Sequence, residues 1–490
     1  MPQPMQPLKV GLVGCSQHSF PGDKEAQYAR SVREMRDFSV RLGFDLWAHP
    51  RQAVDRADAE AAAAAALAEG VDFLMVQCTS FSAGHLAPVF GRMPGVRLGL
   101  WAIEETMDGA SRAAEGAVPL NSFCSVNMYA SILGHYVDGQ MPVKWFYGNA
   151  GHPWLDERLG VTVRALAALK NLNRARTALV GGIAPGFDDL YFDERRLLRL
   201  LPGLRYNRLH EIREITDRAK AYRAADVADE VGRMKAQARG GAIPEALAML
   251  ETSARVLRAF RELVEAHGYD ALAVSCWPHF QETFEAPFSA CAVVGQLNDD
   301  GVAVACEGDT LSAVSMLALR RLSGGTPMLM DLSAFDEADE TVLMWHCGPA
   351  AACFAGPGGY ALGGNYSGAP HEKGKPPRCC GVARDMVFGP GPVTVARLTG
   401  EVDRLFLAGG ELEGGGKKSF HGSRGWMGRL TLNREPIRVR DFVNTVLARK
   451  FQHHFPMVKG DFGREAMELC AWLGIGQVAP VPYQDYLQNG

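Results

Sequence analysis

Two carboxylates stand where apolar runs end. In Val302–Asp336, VAVACEGDTLSAVSMLALRRLSGGTPMLMDLSAFD, Glu307 follows VAVAC and Asp331 follows MLM. An acid just past the carboxyl end of a buried strand sits at the edge where open α/β sheets bind ligands. On adjacent strands, roughly 4.8 Å apart, two such carboxylates reach one small cation; on strands one further apart they do not. Two carboxylates without a cysteine pair suit a hard or borderline ion, Mn²⁺ or Mg²⁺, rather than structural zinc. A histidine would complete the set, and the candidates are His279, His346, His421 and the His453–His454 pair. Asp309 reads differently, because it precedes a helical pattern and suits an N-cap. Glutamate is a poor N-cap, which leaves Glu307 the stronger candidate for chemistry.

The elements around these acids read as strand, helix, strand. Leu311, Val314, Leu317, Ala318 and Leu322 fall on one helical face, and Gly324-Gly325 closes the helix. The two flanking strands are therefore expected side by side and parallel in one sheet. Upstream, short apolar runs at 8–13, 44–47, 71–76 and 96–101 alternate with helical patterns such as 24–42 and the alanine-rich 61–66. That alternation predicts a parallel sheet with helices on both faces, and a second such unit after about residue 141. Beyond Trp345, glycine and proline crowd between short strand-like runs, the pattern of an antiparallel, loop-rich β domain, with one helix near 464–473. The expected architecture is α/β: residues 1–140 and 141–322 as doubly wound domains, the second carrying Glu307. A β-rich, barrel-like domain over 323–490 carries Asp331 and His454.

A chain of 490 residues exceeds one core, and 47% hydrophobic with 22% charged residues is ordinary globular composition. A net charge of −4 gives no footprint for nucleic acid. No apolar run approaches a membrane span, and Met1-Pro2-Gln3-Pro4 does not resemble a secretion signal, so a cytoplasmic location is expected. The eleven cysteines lack any C-x-x-C pair; Cys276 and Cys306 close apolar runs and read as small buried hydrophobes, and Cys379-Cys380 lies in a polar loop. Nicotinamide cofactors are disfavoured: Val10–Ser16 lacks G-x-G-x-x-G, and Pro185 stands where a helix would receive a pyrophosphate. Trp277, Trp345 and Trp426 are candidate aromatic walls for the C–H surface of a ligand, with Trp277, His279, His346 and His421 as candidate substrate contacts. Arg424 carries no distinguishing signal.

The run Cys306–Leu317, CEGDTLSAVSML, resembles the segment carrying the acid–base glutamate of the L-fucose isomerase family. Asp331 stands at the distance of that family's metal-binding aspartate. His454, ahead of Gly460-Asp461-Phe462-Gly463 and a last helix, stands where its histidine ligand does. L-arabinose isomerases share the general architecture. The resemblance implies a metal-dependent aldose–ketose isomerase acting on an open-chain pentose or hexose through a cis-enediol. In it Glu307 and Asp331 are the catalytic acids, and Glu307, Asp331 and His454 hold Mn²⁺ or Mg²⁺. It also implies a homo-oligomer, a hexamer by analogy, with Gln17 and His18 as candidate contributors to a neighbour's site. The alternatives are a non-enzymatic cytoplasmic sugar-binding protein, or a metal-dependent epimerase or aldolase sharing the enediolate.

Overall fold

The computed structural model describes the chain apart from residues 1–3, 106–117, 138–141, 150, 279, 281–282, 285–287, 368–372, 375–377 and 489–490. The chain divides into two compact units, Gln6–Lys170 and Asn171–Gly490 with Met1–Met5.

In Gln6–Lys170, five strands form one parallel sheet in the order β2-β1-β3-β4-β5. They are β1 (Lys9–Cys15), β2 (Asp45–Ala48), β3 (Phe73–Cys78), β4 (Arg97–Ala102) and β5 (Val143–Tyr147). The helix Lys24–Leu42 has the predicted bounds, because both ends are chemically marked. Asp23 accepts a hydrogen bond from the Ala26 amide, and Gly43 leaves the helix at φ 72°. In Arg56–Ala68, Ala59, Ala62, Ala63 and Ala66 are buried at helical spacing, so the alanine run is a packing face.

The second unit opens with a four-stranded parallel sheet in the order β7-β6-β8-β9. Its strands are β6 (Arg176–Val180), β7 (Arg205–His210), β8 (Ala271–Val274) and β9 (Ala303–Ala305). The remainder is a β structure built from β10 (Met328–Asp336), β11 (Thr341–His346), β12 (Ala361–Gly364), β13 (Val382–Val387), β14 (Gly391–Leu398), β15 (Arg404–Leu412), β16 (Ser423–Leu432), β17 (Glu435–Pro436), β18 (His454–Lys459) and β19 (Gly476–Gln477). Antiparallel pairing runs β10–β11–β16–β15–β14–β18 and back to β10, so six strands close a barrel. The expected α/β class with a β-rich, barrel-like C-terminal part is the observed fold.

One expectation is overturned. Glu307 and Asp331 do not follow parallel neighbours: β9 ends the parallel sheet, whereas β10 pairs antiparallel with β11 and β18 in the barrel. Asp331 also lies inside β10 rather than past its end. The run MLM is buried on every residue, and a short apolar run of that kind does not distinguish a parallel from an antiparallel strand. The helix Thr310–Ser323 joins the two layers, packing on β8 and β9 and on β14 and β18. It is buried nearly all round, and the small Ser312, Ala313 and Ser315 let both layers approach. The amide of Leu398 donates to Ser315 Oγ at 3.0 Å, tying β14 to this helix. Among the described residues, no helix is long and apolar enough to cross a membrane. Cys276, Cys306 and Cys380 are buried and Cys379 is partly so.

Candidate active site

Glu307 leaves the end of β9 in an unusual backbone state, with φ 61°, and Gly308 follows at φ 79°. Left-handed backbone on a non-glycine residue persists only where neighbours over-determine it. Here Ala184 N–H donates to Glu307 O at 3.0 Å, and Gly308 N–H donates to Val274 O at 3.1 Å. A Cβ on Gly308 would lie 2.2 Å from Gly182 O, so backbone meets backbone there with no spare room. Gly308→Ala is expected to lower stability by roughly 1–3 kcal/mol, the scale of one forced backbone conformation. Denaturant midpoints of the two proteins measure it, and an unchanged midpoint would remove this clamp from the account.

Asp309 caps the next helix, as expected, with Oδ1 accepting from Ser312 N–H at 2.9 Å. Its other oxygen has a second task. Asp309 Oδ2 lies 2.9 Å from His454 Nδ1 and also takes the guanidinium of Arg397, which reaches Ser312 Oγ as well. Asp309, Arg397 and His454 are all fully buried. With Nδ1 donating to Asp309, His454 directs Nε2 the other way, a carboxylate–histidine arrangement frequent behind metal ligands. His454 opens β18 directly opposite Asp331 on β10, so the barrel register sets these two side by side. His454 Nε2 is 3.9 Å from Asp331 Oδ1 and 3.2 Å from Glu307 Oε2. The acids that do not share a sheet therefore converge on one imidazole.

Three buried atoms here have no hydrogen-bond partner: Asp331 Oδ1, His346 Nε2 and His454 Nε2. Glu307 Oε2 approaches His454 Nε2 as an ion pair without hydrogen-bond alignment. Buried polar atoms normally find partners, so three orphans at one point mark a place for something else. One ligand atom each from Asp331, His346 and His454 lies within 4.8 Å of the others, and the same holds for Glu307, His453 and His454. Carboxylate oxygens with imidazole nitrogen fit Mn²⁺ or Mg²⁺ chemistry, and Asp331 Oδ1 with His454 Nε2 fits an ion as the missing partner.

The charges follow from these contacts. Burial works against the Glu307 carboxylate, but His453 and His454 outweigh it and hold its pKa well below the usual range. Burial likewise opposes ionised Asp309, and Arg397 with His454 holds its pKa well below the usual range. For His454, burial favours the neutral ring, but Asp309 and Glu307 raise the pKa to about 10. Burial is the main cause of the lowered pKa of His346. Stability from Glu307 and Asp309 is thus present above about pH 4 and lost as pH falls through their lowered values. Stability from His454 is complete below about pH 6.5 and lost as pH rises through about 10. In chelator-treated protein, Tm measured against pH is expected to fall on both sides of that window. A Tm that climbs from pH 7 to 10 would contradict the assignment.

The other sequence candidates take varied places. Trp277 is 38% exposed and meets Phe187 edge to face at 6.0 Å; Phe187 in turn lies 5.5 Å from His453. Trp345 stacks on His346 and donates from Nε1 to His421 O at 2.6 Å. His421 is about half exposed, beside Tyr366 and Asp385, and its ring is outside the cluster of potential ligands. His279 lies outside the described residues. Trp426 is buried under Lys417, with Nε1 donating to Lys418 O, and Arg424 is paired with Asp385. Gln17, whose amide donates to Ser80 Oγ, and His18 belong to the Gln6–Lys170 unit. Sequence reasoning missed Asp189, which holds His453 Nδ1 at 2.8 Å while His453 Nε2 is 3.1 Å from Glu307 Oε2. It also missed Arg397, although a lone arginine within the apolar VTVARL was a visible signal.

No family model matches the chain. It is 26% identical over 412 residues to the sulfoquinovose isomerase of Priestia megaterium, covering 83% of this chain and 84% of that protein. It is 26% identical over 413 residues to the sulfoquinovose isomerase of Alkalicoccus urumqiensis, covering 81% and 84%. With the sulfoquinovose isomerase of Clostridium sp. (strain MSTE9) it shares 28% over 257 residues, 52% and 55% of the two chains. A solved galactofuranose binding protein aligns with 66% of this chain and 91% of its own at 11% identity, but the TM-score of 0.17 carries no argument. The chain is an enzyme, an intramolecular oxidoreductase of the aldose–ketose isomerase class.

Proposed function

We propose that this enzyme interconverts an open-chain aldose and its ketose through a cis-enediol, with Mn²⁺ or Mg²⁺ held by Glu307, Asp331 and His454. The carrying observation is the meeting of these three at one imidazole nitrogen, with His454 Nε2 and Asp331 Oδ1 buried and unpartnered. The order and spacing of the three also support membership of the L-fucose and L-arabinose isomerase-like group. When bound, the cation supplies Lewis-acid polarisation of the substrate oxygens.

Glu307 is ionised at neutral pH, so it starts as a base able to take the proton beside the carbonyl. Returning that proton to the neighbouring carbon, with a second proton passing from the hydroxyl to the carbonyl oxygen, completes an aldose–ketose exchange with no net change of oxidation. Asp331 Oδ1 retains a free lone pair, placing it to serve the opposite carbon or oxygen. Asp309 and Arg397 fix the ring of His454, and the Trp277–Phe187–His453 aromatic row forms an apolar wall for substrate C–H groups. Sulfoquinovose, the sugar in the relatives' names, is the first to try.

The test is ketose formation from sulfoquinovose and a panel of free aldopentoses and aldohexoses, with Mn²⁺ supplied or chelated. Conversion that stops with chelator is the expected result. Conversion indifferent to chelator removes the cation from the proposal. Absence of conversion with Mn²⁺ bound counts against the open-chain sugars of the panel as substrates, and absence of both conversion and Mn²⁺ binding removes this cation site from the proposal. A homo-oligomer, a hexamer on the same resemblance, is proposed as the working assembly, and light scattering of the purified protein measures it.

A further inference from the structure

His346 and His454 look alike in the candidate site. Both rings are buried, they stack at 5.9 Å between centroids, and each leaves Nε2 without a protein partner. Their other nitrogens differ. His454 Nδ1 faces a carboxylate, Asp309 Oδ2 at 2.9 Å, which can only accept. Nδ1 therefore carries a hydrogen, and in the neutral ring the lone pair is on Nε2, where a cation can take it. His346 Nδ1 faces the backbone N–H of Cys347 at 2.9 Å, which can only donate. Cys347 Sγ, at 3.2 Å, is a second group able to donate to it. Nδ1 of His346 is thus an acceptor, and in the neutral ring the hydrogen sits on Nε2. Ligating a cation through Nε2 would force a hydrogen onto Nδ1, pointing at an N–H it cannot avoid.

We propose that His346 is a neutral hydrogen-bond donor to the substrate oxygen that becomes anionic in the enediolate, and is not a ligand of the cation. The role rests on the isomerase reading above. Its position suits it: the unpartnered Nε2 is buried beside Asp331 and His454, where substrate oxygens must lie if those residues hold the ion. The ring is fixed by the Cys347 backbone and by stacking on Trp345 at an interplanar angle of 16°, so the donor is set before the charge develops. A donor aimed at a developing oxyanion in a water-poor site is worth about 10²–10³ in kcat.

Mn²⁺ binding and turnover separate this role from that of a ligand. Free Mn²⁺ is titrated by its paramagnetic resonance signal against wild type, His346→Ala, His346→Gln and His454→Ala. His346→Ala is expected to keep Mn²⁺ affinity within about threefold, whereas His454→Ala loses at least about tenfold. In steady state, His346→Ala is expected to lower kcat by about 10²–10³ with a smaller change in KM, and His346→Gln, whose amide can donate, to recover part of it. Loss of Mn²⁺ from His346→Ala matching that from His454→Ala would make His346 a ligand and overturn the proposal. Retained kcat in His346→Ala with Mn²⁺ bound would overturn it equally. A wild type that binds Mn²⁺ but converts no sugar fails the isomerase reading, and the Mn²⁺ titrations still decide between ligand and donor.

Discussion

Glu307→Gln is expected to fold, and to lose turnover by at least about 10²–10⁴-fold, the usual contribution of a positioned acid–base group. Glutamine preserves the size of the side chain and keeps a carbonyl oxygen facing His453 and His454, so the fold has little reason to change. It removes the basic oxygen that takes a proton, and it removes one negative ligand. The two losses separate by measurement. Mn²⁺ titration reports the ligand loss, and kcat at saturating Mn²⁺ reports the base. Substantial turnover in a folded Glu307→Gln protein would end the assignment of Glu307 as proton carrier. Thermal unfolding of both proteins supplies the fold control, with midpoints compared after chelation so that cation binding does not mask a difference.

Asp309→Ala is expected to damage stability more than any other change in the site. The carboxylate is the buried partner of Arg397, and both are fully enclosed. Removing one member leaves a guanidinium in the interior without its counter-charge, at a cost of about 3–5 kcal/mol. The helix Thr310–Ser323 loses its N-cap as well, since Ser312 N–H loses its acceptor. Asp309→Asn dissects this outcome. The amide can still cap the helix through its oxygen, but it brings an N–H towards His454 Nδ1. The imidazole then accepts at Nδ1, carries its hydrogen on Nε2, and loses the lone pair meant for the cation. Mn²⁺ affinity is expected to fall about 10–100-fold in Asp309→Asn, the range found when a partner behind a metal-binding histidine is removed. Wild-type affinity in that variant would show that Asp309 does not orient His454.

Much of this organisation was legible in the residues, because some signals are local. Asp23 and Gly43 mark both ends of the first helix, and Pro244 and Gly268 bracket another, Pro244–His267. Glu307 stood out because glutamate is a poor N-cap, and the structure adds a positive φ that non-glycine residues rarely adopt. The sheet assignment of Asp331 was not legible. MLM reads the same in a parallel or an antiparallel strand, and what decides between them is β18, far along the chain. The second task of Asp309 was hidden for a related reason. A cap explains an aspartate at that position completely, and nothing nearby in sequence announces Arg397 or His454. Local chemistry predicts local partners, and the site is made of distant ones.

That distance bears on how the enzyme comes into being. Asp309 and His454 are separated by 145 positions, and the barrel closes only when β18 takes its place between β10 and β14. Contacts of such long range form late, since chain closure must be accomplished before they return any energy. A polypeptide still emerging from the ribosome, with β10 made and β18 not, carries Glu307 and Asp331 but no imidazole between them. It offers no finished seat to a passing ion. With the proposed cation site, metal uptake would read out completed topology, and ion binding to the native state alone would make that topology harder to undo.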